Sequence, residues 1–220
     1  DQHGARIGQL VFELLDSLAK ELPIDTDRVY VLGHSMGGFL AQMAVCYTST
    51  PIQSLVSISA GSAVDSSLCK ELGMSAPTDA TWKVLLENQP SGNFEKDLEG
   101  WLSTWEFLNG SLFFDREHAM HYTRSLYKGD ARNFQVAANH VHAMSTVPVD
   151  LVRELPKSRC PFLVLHGTDD PLVPFDNGEV TARLVSNSTF IGLEGAGPMY
   201  FNKHIWLRIQ DHVLEHLKNH

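Results

Sequence analysis

The stretch Val29-Tyr30-Val31-Leu32-Gly33-His34-Ser35-Met36-Gly37-Gly38 decides how the rest of the chain is read. It opens with β-branched and aromatic residues, the composition of a buried strand. It turns through Gly33-x-Ser35-x-Gly37 and runs into Phe39-Leu40-Ala41-Gln42-Met43-Ala44-Val45, which reads as a helix. Strand, tight turn and helix in that order form the setting of a nucleophile elbow. Such a turn lifts the Ser35 hydroxyl above the sheet edge, at a helix N-terminus, where developing negative charge is stabilised. Gly33 and Gly37 are both expected to be glycine because a Cβ would collide with neighbouring backbone in so strained a turn. The plainer reading is a strand–helix joint that contains a serine; the flanks favour the elbow.

Upstream, Ile7, Leu10, Val11, Leu14, Leu15 and Leu18 recur at helical spacing, so residues 4–21 read as an amphipathic helix that Pro23 ends. Downstream, residues 52–59, 160–167 and 188–193 are apolar, β-prone runs and read as three further strands. A helix is expected within 178–185. Another, from about His204 to Lys218, should place Ile205, Ile209, Val213, Leu214 and Leu217 on one face. Parallel neighbours reached through helices require right-handed crossovers, which makes the fold class α/β with a mostly parallel, doubly wound sheet. Between the second and third strands lies a long helical insertion, with candidate helices at 81–87, 94–108, 116–127 and 134–144. The expected division is therefore a core of residues 1–61 and 157–220 and an insertion of 62–156.

Composition excludes several roles. Net charge is −9 with no basic cluster, which argues against a nucleic-acid partner. No apolar run reaches the length of a membrane span, and the N-terminus is not a signal peptide. Cys46, Cys69 and Cys160 are odd in number and far apart, the pattern of reduced thiols in a cytoplasmic setting rather than of disulfides or a zinc site. His118/His121 and His140/His142 have no nearby carboxylate or cysteine to complete a ligand set, so no metal is expected. Gly195-Ala196-Gly197 lacks the third glycine of a dinucleotide fingerprint, and no cofactor is expected.

At the elbow the chain resembles the α/β-hydrolase superfamily, and the resemblance continues to the last helix. His166-Gly167-Thr168-Asp169-Asp170-Pro171-Leu172-Val173-Pro174 matches the family's acid loop, His-Gly-x-x-Asp-x-x-Val-Pro, and implies that Asp170 is the acid that orients a catalytic histidine. Asp169 reads as a turn residue. The family's base follows the last strand in a Gly-x-Gly-His loop. Here that loop reads Gly195-Ala196-Gly197-Pro198, and proline has no nitrogen able to take a proton. His204 is the nearest downstream substitute, with a polar helix-end residue as the alternative reading. The resemblance implies that His34 and His166 are pattern residues and not the base. It also implies that the amide of Met36 is one oxyanion donor and that the insertion is a cap over the site. Trp82, Trp101, Trp105, Phe107, Phe113, Phe114 and Tyr122 give that segment apolar surface, chiefly as its own core. From Trp105 to Asp115 it is somewhat similar to caps of small-molecule ester hydrolases such as polyketide methyl esterases.

The family places several strands before the first helix, and one leads into the loop that supplies the second oxyanion amide. In this sequence the Ser35 strand has no upstream neighbour to pair with, although its composition is that of a central strand. The chain is expected to be a fragment, to take its complement from another segment, or to self-associate at that edge. Three functions follow: an ester-type hydrolase acting on a small acyl substrate through Ser35, Asp170 and a base; a non-catalytic ligand- or partner-binding relative; or a catalytic chain altered or shortened away from its active form.

Overall fold

The computed structural model describes residues 13, 14, 17, 18, 20–25, 27–47, 51–88, 91, 93–127 and 150–220. Four strands, β1 (Tyr30–His34), β2 (Ser54–Ile58), β3 (Phe162–Gly167) and β4 (Ser188–Leu193), form one sheet in the order β1-β2-β3-β4. Every pairing is parallel, with Leu32 opposite Val56, Val56 opposite Leu163, and Leu163 opposite Thr189. Each step is therefore a crossover through helix, as the apolar runs required.

The crossovers divide between the two faces. Helix α1 (Met36–Tyr47) follows β1 directly and buries Phe39, Ala41 and Met43 against Leu55 and Phe162. Between β2 and β3 lie α2 (Ser66–Leu72), α3 (Asp79–Glu87), α4 (Phe94–Phe107), α5 (Arg116–Tyr127) and the single turn α6 (Leu151–Glu154). Leu151 of α6 and Leu155 just after it pack with the α1 face, so this end of the expected insertion lies against the core. Helix α7 (Phe175–Leu184) joins β3 to β4 on that face. The last helix, α8 (Lys203–Asn219), covers the other face, setting Ile205 and Ile209 on Val56, Leu163 and Leu165. Val213 joins them, but Leu214, expected on the same stripe, points to solvent.

Strands β2 and β3 are buried along their whole length; β3 is apolar from Phe162 to Leu165, whereas β2 buries Ser54 and Ser57 among its apolar residues. β1 is different. Val31 packs toward α1, whereas Tyr30, Leu32 and His34 lie on the α8 side and are exposed. Among the described residues no strand pairs with its outer edge.

The helices begin where side chains can hold their free amides. Asp65, Thr78, Asn93 and Asn202 cap α2, α3, α4 and α8, each accepting a backbone N–H two or three residues on. Helix α2 ends on Gly73 at φ +76°, a left-handed stop. Neither α2 nor α6 was expected from the sequence. Of the N-terminal helix, residues 13, 14, 17, 18, 20 and 21 are helical as expected. The rest of that helix, and the expected helix at 134–144, lie outside the described residues.

Candidate active site

Ser35 follows β1 at φ +54°, a conformation a non-glycine residue adopts only under constraint. Its own N–H holds it to the end of β2, donating to the Ile58 carbonyl at 2.8 Å. Its carbonyl accepts the N–H groups of Gly38 (2.9 Å) and Phe39 (3.2 Å), so α1 starts on the serine itself. The turn is so tight that a Cβ on Gly33 would lie 2.0 Å from the Gly37 carbonyl oxygen. The expectation for Gly37 is corrected: a Cβ there meets nothing within 4 Å. The second crowded glycine is Gly38, whose Cβ would stand 2.7 Å from that of Ala60. The Ser35 hydroxyl makes no hydrogen bond among the described residues. The N–H of Met36 lies in the first turn of α1, where backbone donors have no helical acceptor.

Asp170 sits in the turn after β3. Its Oδ1 accepts the N–H groups of Leu172 (2.9 Å) and Val173 (2.8 Å), which folds the turn around the carboxylate. Its Oδ2 is buried, 3.5 Å from Nε2 of His166, and has no hydrogen bond of good geometry among the described residues. Burial pushes this carboxyl up to about 7; the two backbone amides and the nearby Ser59 hydroxyl offset only part of it. His166, wholly buried, donates Nε2–H to the Val173 carbonyl at 2.7 Å, and burial lowers its pKa. Both partners are thus driven toward neutrality, and the contact is not an ion pair. His166 buttresses the acid turn from below.

The loop after β4 carries Pro198, where the resemblance led one to expect a histidine. It lies against the acid turn: Asp169 N–H donates to the Ala196 carbonyl (3.0 Å), and Gly195 N–H to Thr168 Oγ1 (2.8 Å). On its other side the α4–α5 joint is laced to it, through Gly197 N–H to Asn109 O (3.0 Å), Met199 N–H to Leu108 O (3.2 Å) and Ser111 N–H to Gly195 O (2.9 Å). Gly110 at φ +78° and Gly197 allow this approach, since a Cβ on Gly197 would lie 2.2 Å from the Leu108 oxygen. Phe201, from the same loop, fills the core of the insertion with Leu98, Leu102 and Ala119. Trp105, Phe114 and Tyr122 all touch its ring, so these aromatics serve the insertion's packing as expected. Trp82 and Phe113, by contrast, are exposed.

Two residues that the sequence did not mark complete the arrangement. Ser59, just past β2, also has a positive φ, +47°, and its Oγ is 2.7 Å from the Tyr200 hydroxyl. Tyr200 packs on the His34 ring (centroids 5.3 Å apart), and His34 Nε2 lies 2.9 Å from the Pro198 carbonyl oxygen. The loops bearing Ser35, Asp170 and Pro198 therefore close into a ring of contacts, although Ser35 and Asp170 share no direct bond. His204 is not part of it. It is exposed on the first turn of α8, its N–H capped by Asn202, and its ring bonds to neither Ser35 nor Asp170. His118 packs on Phe201, His121 is exposed, and His140 and His142 lie outside the described residues. Among the described residues no cluster of three His, Cys, Asp or Glu side chains could hold a metal ion, and no helix is long and apolar enough to cross a membrane.

A strained serine between a parallel strand and a helix, with an aspartate after the strand two places along the sheet, defines a class. The family model for the alpha/beta hydrolase fold matches residues 18–204, and the chain belongs to that family. Among solved structures it is similar to a 2-hydroxy-6-oxo-6-phenylhexa-2,4-dienoate hydrolase from Rhodococcus sp. strain RHA1 (TM-score 0.64, 15% identity, covering 87% of this chain and 64% of that one). It is similar also to a hydrolase from Pseudomonas aeruginosa (0.63, 20%, 97% and 71%) and to an esterase from Rhodococcus sp. (0.60, 17%, 86% and 64%). At these identities the likeness is one of fold, and the chain spans 64% to 71% of the length of those structures. No curated protein sequence matches the chain.

Proposed function

We propose that the protein is a serine hydrolase acting on a carboxylic ester or related small acyl substrate. The observation that carries this reading is Ser35: it is held at φ +54° at the top of β1, its hydroxyl unbonded among the described residues, and a strained residue of this kind persists only where the surroundings enforce it. Ser35 would attack the carbonyl carbon, and the Met36 N–H would receive the oxyanion at the start of α1. Asp170 would support a base, and the helices between β2 and β3 would act as a cap over the site. Hydrolase and esterase neighbours support the reading at the level of fold. The three free cysteines support a reducing, cytoplasmic setting.

A second reading, a ligand- or partner-binding protein without turnover, is favoured by one observation. Among the described residues Asp170 Oδ2 is buried without a hydrogen-bond partner, and Pro198 offers no ring N–H to supply one. The assay is hydrolysis of a p-nitrophenyl ester of a short acid by wild type and Ser35→Ala. The hydrolase reading expects turnover that the substitution removes, by on the order of 10³-fold or more. Equal rates in the two proteins contradict it.

A further inference from the structure

We propose that Ser59 and Tyr200 are positioning residues for Asp170: the Tyr200 O–H donates to Ser59 Oγ, which frees the Ser59 O–H to be donated to the Asp170 carboxylate. The role this gives the pair rests on the reading of Asp170 as the acid of the site, but the pair itself is testable without turnover.

Strand order brings the three residues together. Ser59 follows β2, between the strand that carries Ser35 and the strand that leads to Asp170. Its N–H donates to the Leu165 carbonyl of β3 at 2.9 Å. Among the described residues only Ser35 and Ser59 are non-glycine residues with a positive φ, and Ser59, at +47°, is fully buried. Strain of this kind persists where the surroundings over-determine it, and it gathers at sites that need a side chain in one place. Ser59 Oγ lies 2.7 Å from the Tyr200 hydroxyl. The Tyr200 ring is held separately, against His34 (centroids 5.3 Å apart) and Trp206 (6.0 Å).

A pair of hydroxyls can point its hydrogens either way, and the carboxyl selects the direction. An ionised carboxylate accepts and cannot donate. Asp170 Oδ1 is occupied by the N–H groups of Leu172 and Val173, so the need for a donor is at Oδ2, which is buried with no partner of good geometry among the described residues. The titratable groups facing this carboxyl are His166 of β3 and Tyr200 of the loop after β4. His166 stands 3.5 Å away but gives its Nε2–H to the Val173 carbonyl at 2.7 Å. Pro198 has no N–H to give. The Ser59 hydroxyl remains, and it favours the ionised form of Asp170 against the burial that opposes it. Burial and the Asp170 charge raise the Tyr200 phenol, which therefore stays protonated and able to donate. With Tyr200 donating, Ser59 uses a lone pair toward the phenol and its hydrogen toward the carboxylate. The pair thus supplies the hydrogen bond that a histidine in the place of Pro198 would make.

The test is the titration of Asp170, followed by carbon NMR of the side-chain carboxyls in wild type, Ser59→Ala, Tyr200→Phe and the double variant, with Asp170→Asn assigning the resonance. Wild type is expected to titrate at about 7. Loss of the Ser59 hydroxyl should move the titration up by about one pH unit. Tyr200→Phe keeps the packed ring and should move it in the same direction by less. The double variant should match Ser59→Ala, because Tyr200 acts through Ser59. An unmoved titration in Ser59→Ala overturns the proposal. So does Tyr200→Phe titrating with wild type, and so does a double variant in which the two shifts add. Ser59→Gly takes a positive φ without strain and carries the same test where the alanine variant does not fold. A packing role alone would change stability and leave these titrations in place. Hydrolysis of the p-nitrophenyl ester by the same proteins separates the two readings. Shifted titrations without turnover in wild type contradict the hydrolase reading and leave the hydroxyl pair standing; turnover with unmoved titrations does the reverse.

Discussion

Gly33 and Gly37 occupy equivalent places in one short motif but meet different surroundings. A methyl group on Gly33 would sit inside the first turn of α1, so Gly33→Ala is expected to destabilise the fold by at least about 3 kcal/mol. Gly37 lies in the first turn of α1 with open space beyond it, and Gly37→Ala should be neutral or stabilising by up to about 1 kcal/mol. Urea denaturation of the two variants checks both. Motif spacing could not separate them, because it records that the turn is tight and not on which side the helix passes. Asp170 offers a second test. Its carboxyl rises on folding from 3.8 to about 7, so the folded state takes up a proton across that range, and this group's contribution to stability falls as pH rises. Asp170→Asn should match wild type near pH 4 and exceed it at pH 8 by on the order of 2–4 kcal/mol. Denaturation at the two pH values reads the difference. An equal pH dependence in both proteins would show that burial does not raise this carboxyl. The sequence singles out Asp170 by its loop pattern but could not disclose that its Oδ2 is buried with no hydrogen-bond partner among the described residues, which depends on what packs above it. Ser59 was illegible for a similar reason, since nothing in a serine's neighbours marks a positive φ.

At the scale of elements, the strands and long helices were legible because burial on one face or both imposes period or composition on the sequence. β4 and α5 match their expected limits, whereas α2 and α6 are too short to show a period. What the sequence could not convey is how the insertion is fastened. Ser75, between α2 and α3, gives its N–H (2.9 Å) and hydroxyl (2.5 Å) to Asp176 at the start of α7, and Thr81 donates to the Pro171 carbonyl (3.0 Å). The α4–α5 joint is laced to the loop after β4. The insertion thus grips both the acid turn and the loop of Pro198, through contacts more than 80 residues apart in sequence. β1 is the element whose surroundings least match its composition. Val29 O and Ser35 N–H bond to the β2 side, so the alternation of a parallel strand turns the N–H and C=O groups of Tyr30, Leu32 and His34 outward. Leu32 is 56% exposed beside them. Such an edge offers a template for another strand, and a second copy or another segment is the expected partner. In sedimentation velocity, wild type is expected to associate with increasing concentration and Leu32→Lys to remain closer to monomer. Equal association of the two would place the contact elsewhere.

At the scale of the molecule, the chain reads as a parallel sheet whose strand ends deliver three loops to one place. β1 brings Ser35, β3 brings Asp170, and the loop after β4 brings Pro198 between them and the helical insertion. The fold was legible from the elbow and the acid loop because both are fixed by local sterics and hydrogen bonding. The base was not, because Pro198 stands where the pattern has its histidine. The account depends on Ser35 acting as a nucleophile. Intact-mass analysis after incubation with a fluorophosphonate tests this most directly. A single adduct that maps to Ser35 and is missing from Ser35→Ala is the result expected. An unmodified mass for both wild type and Pro198→His would contradict the claim.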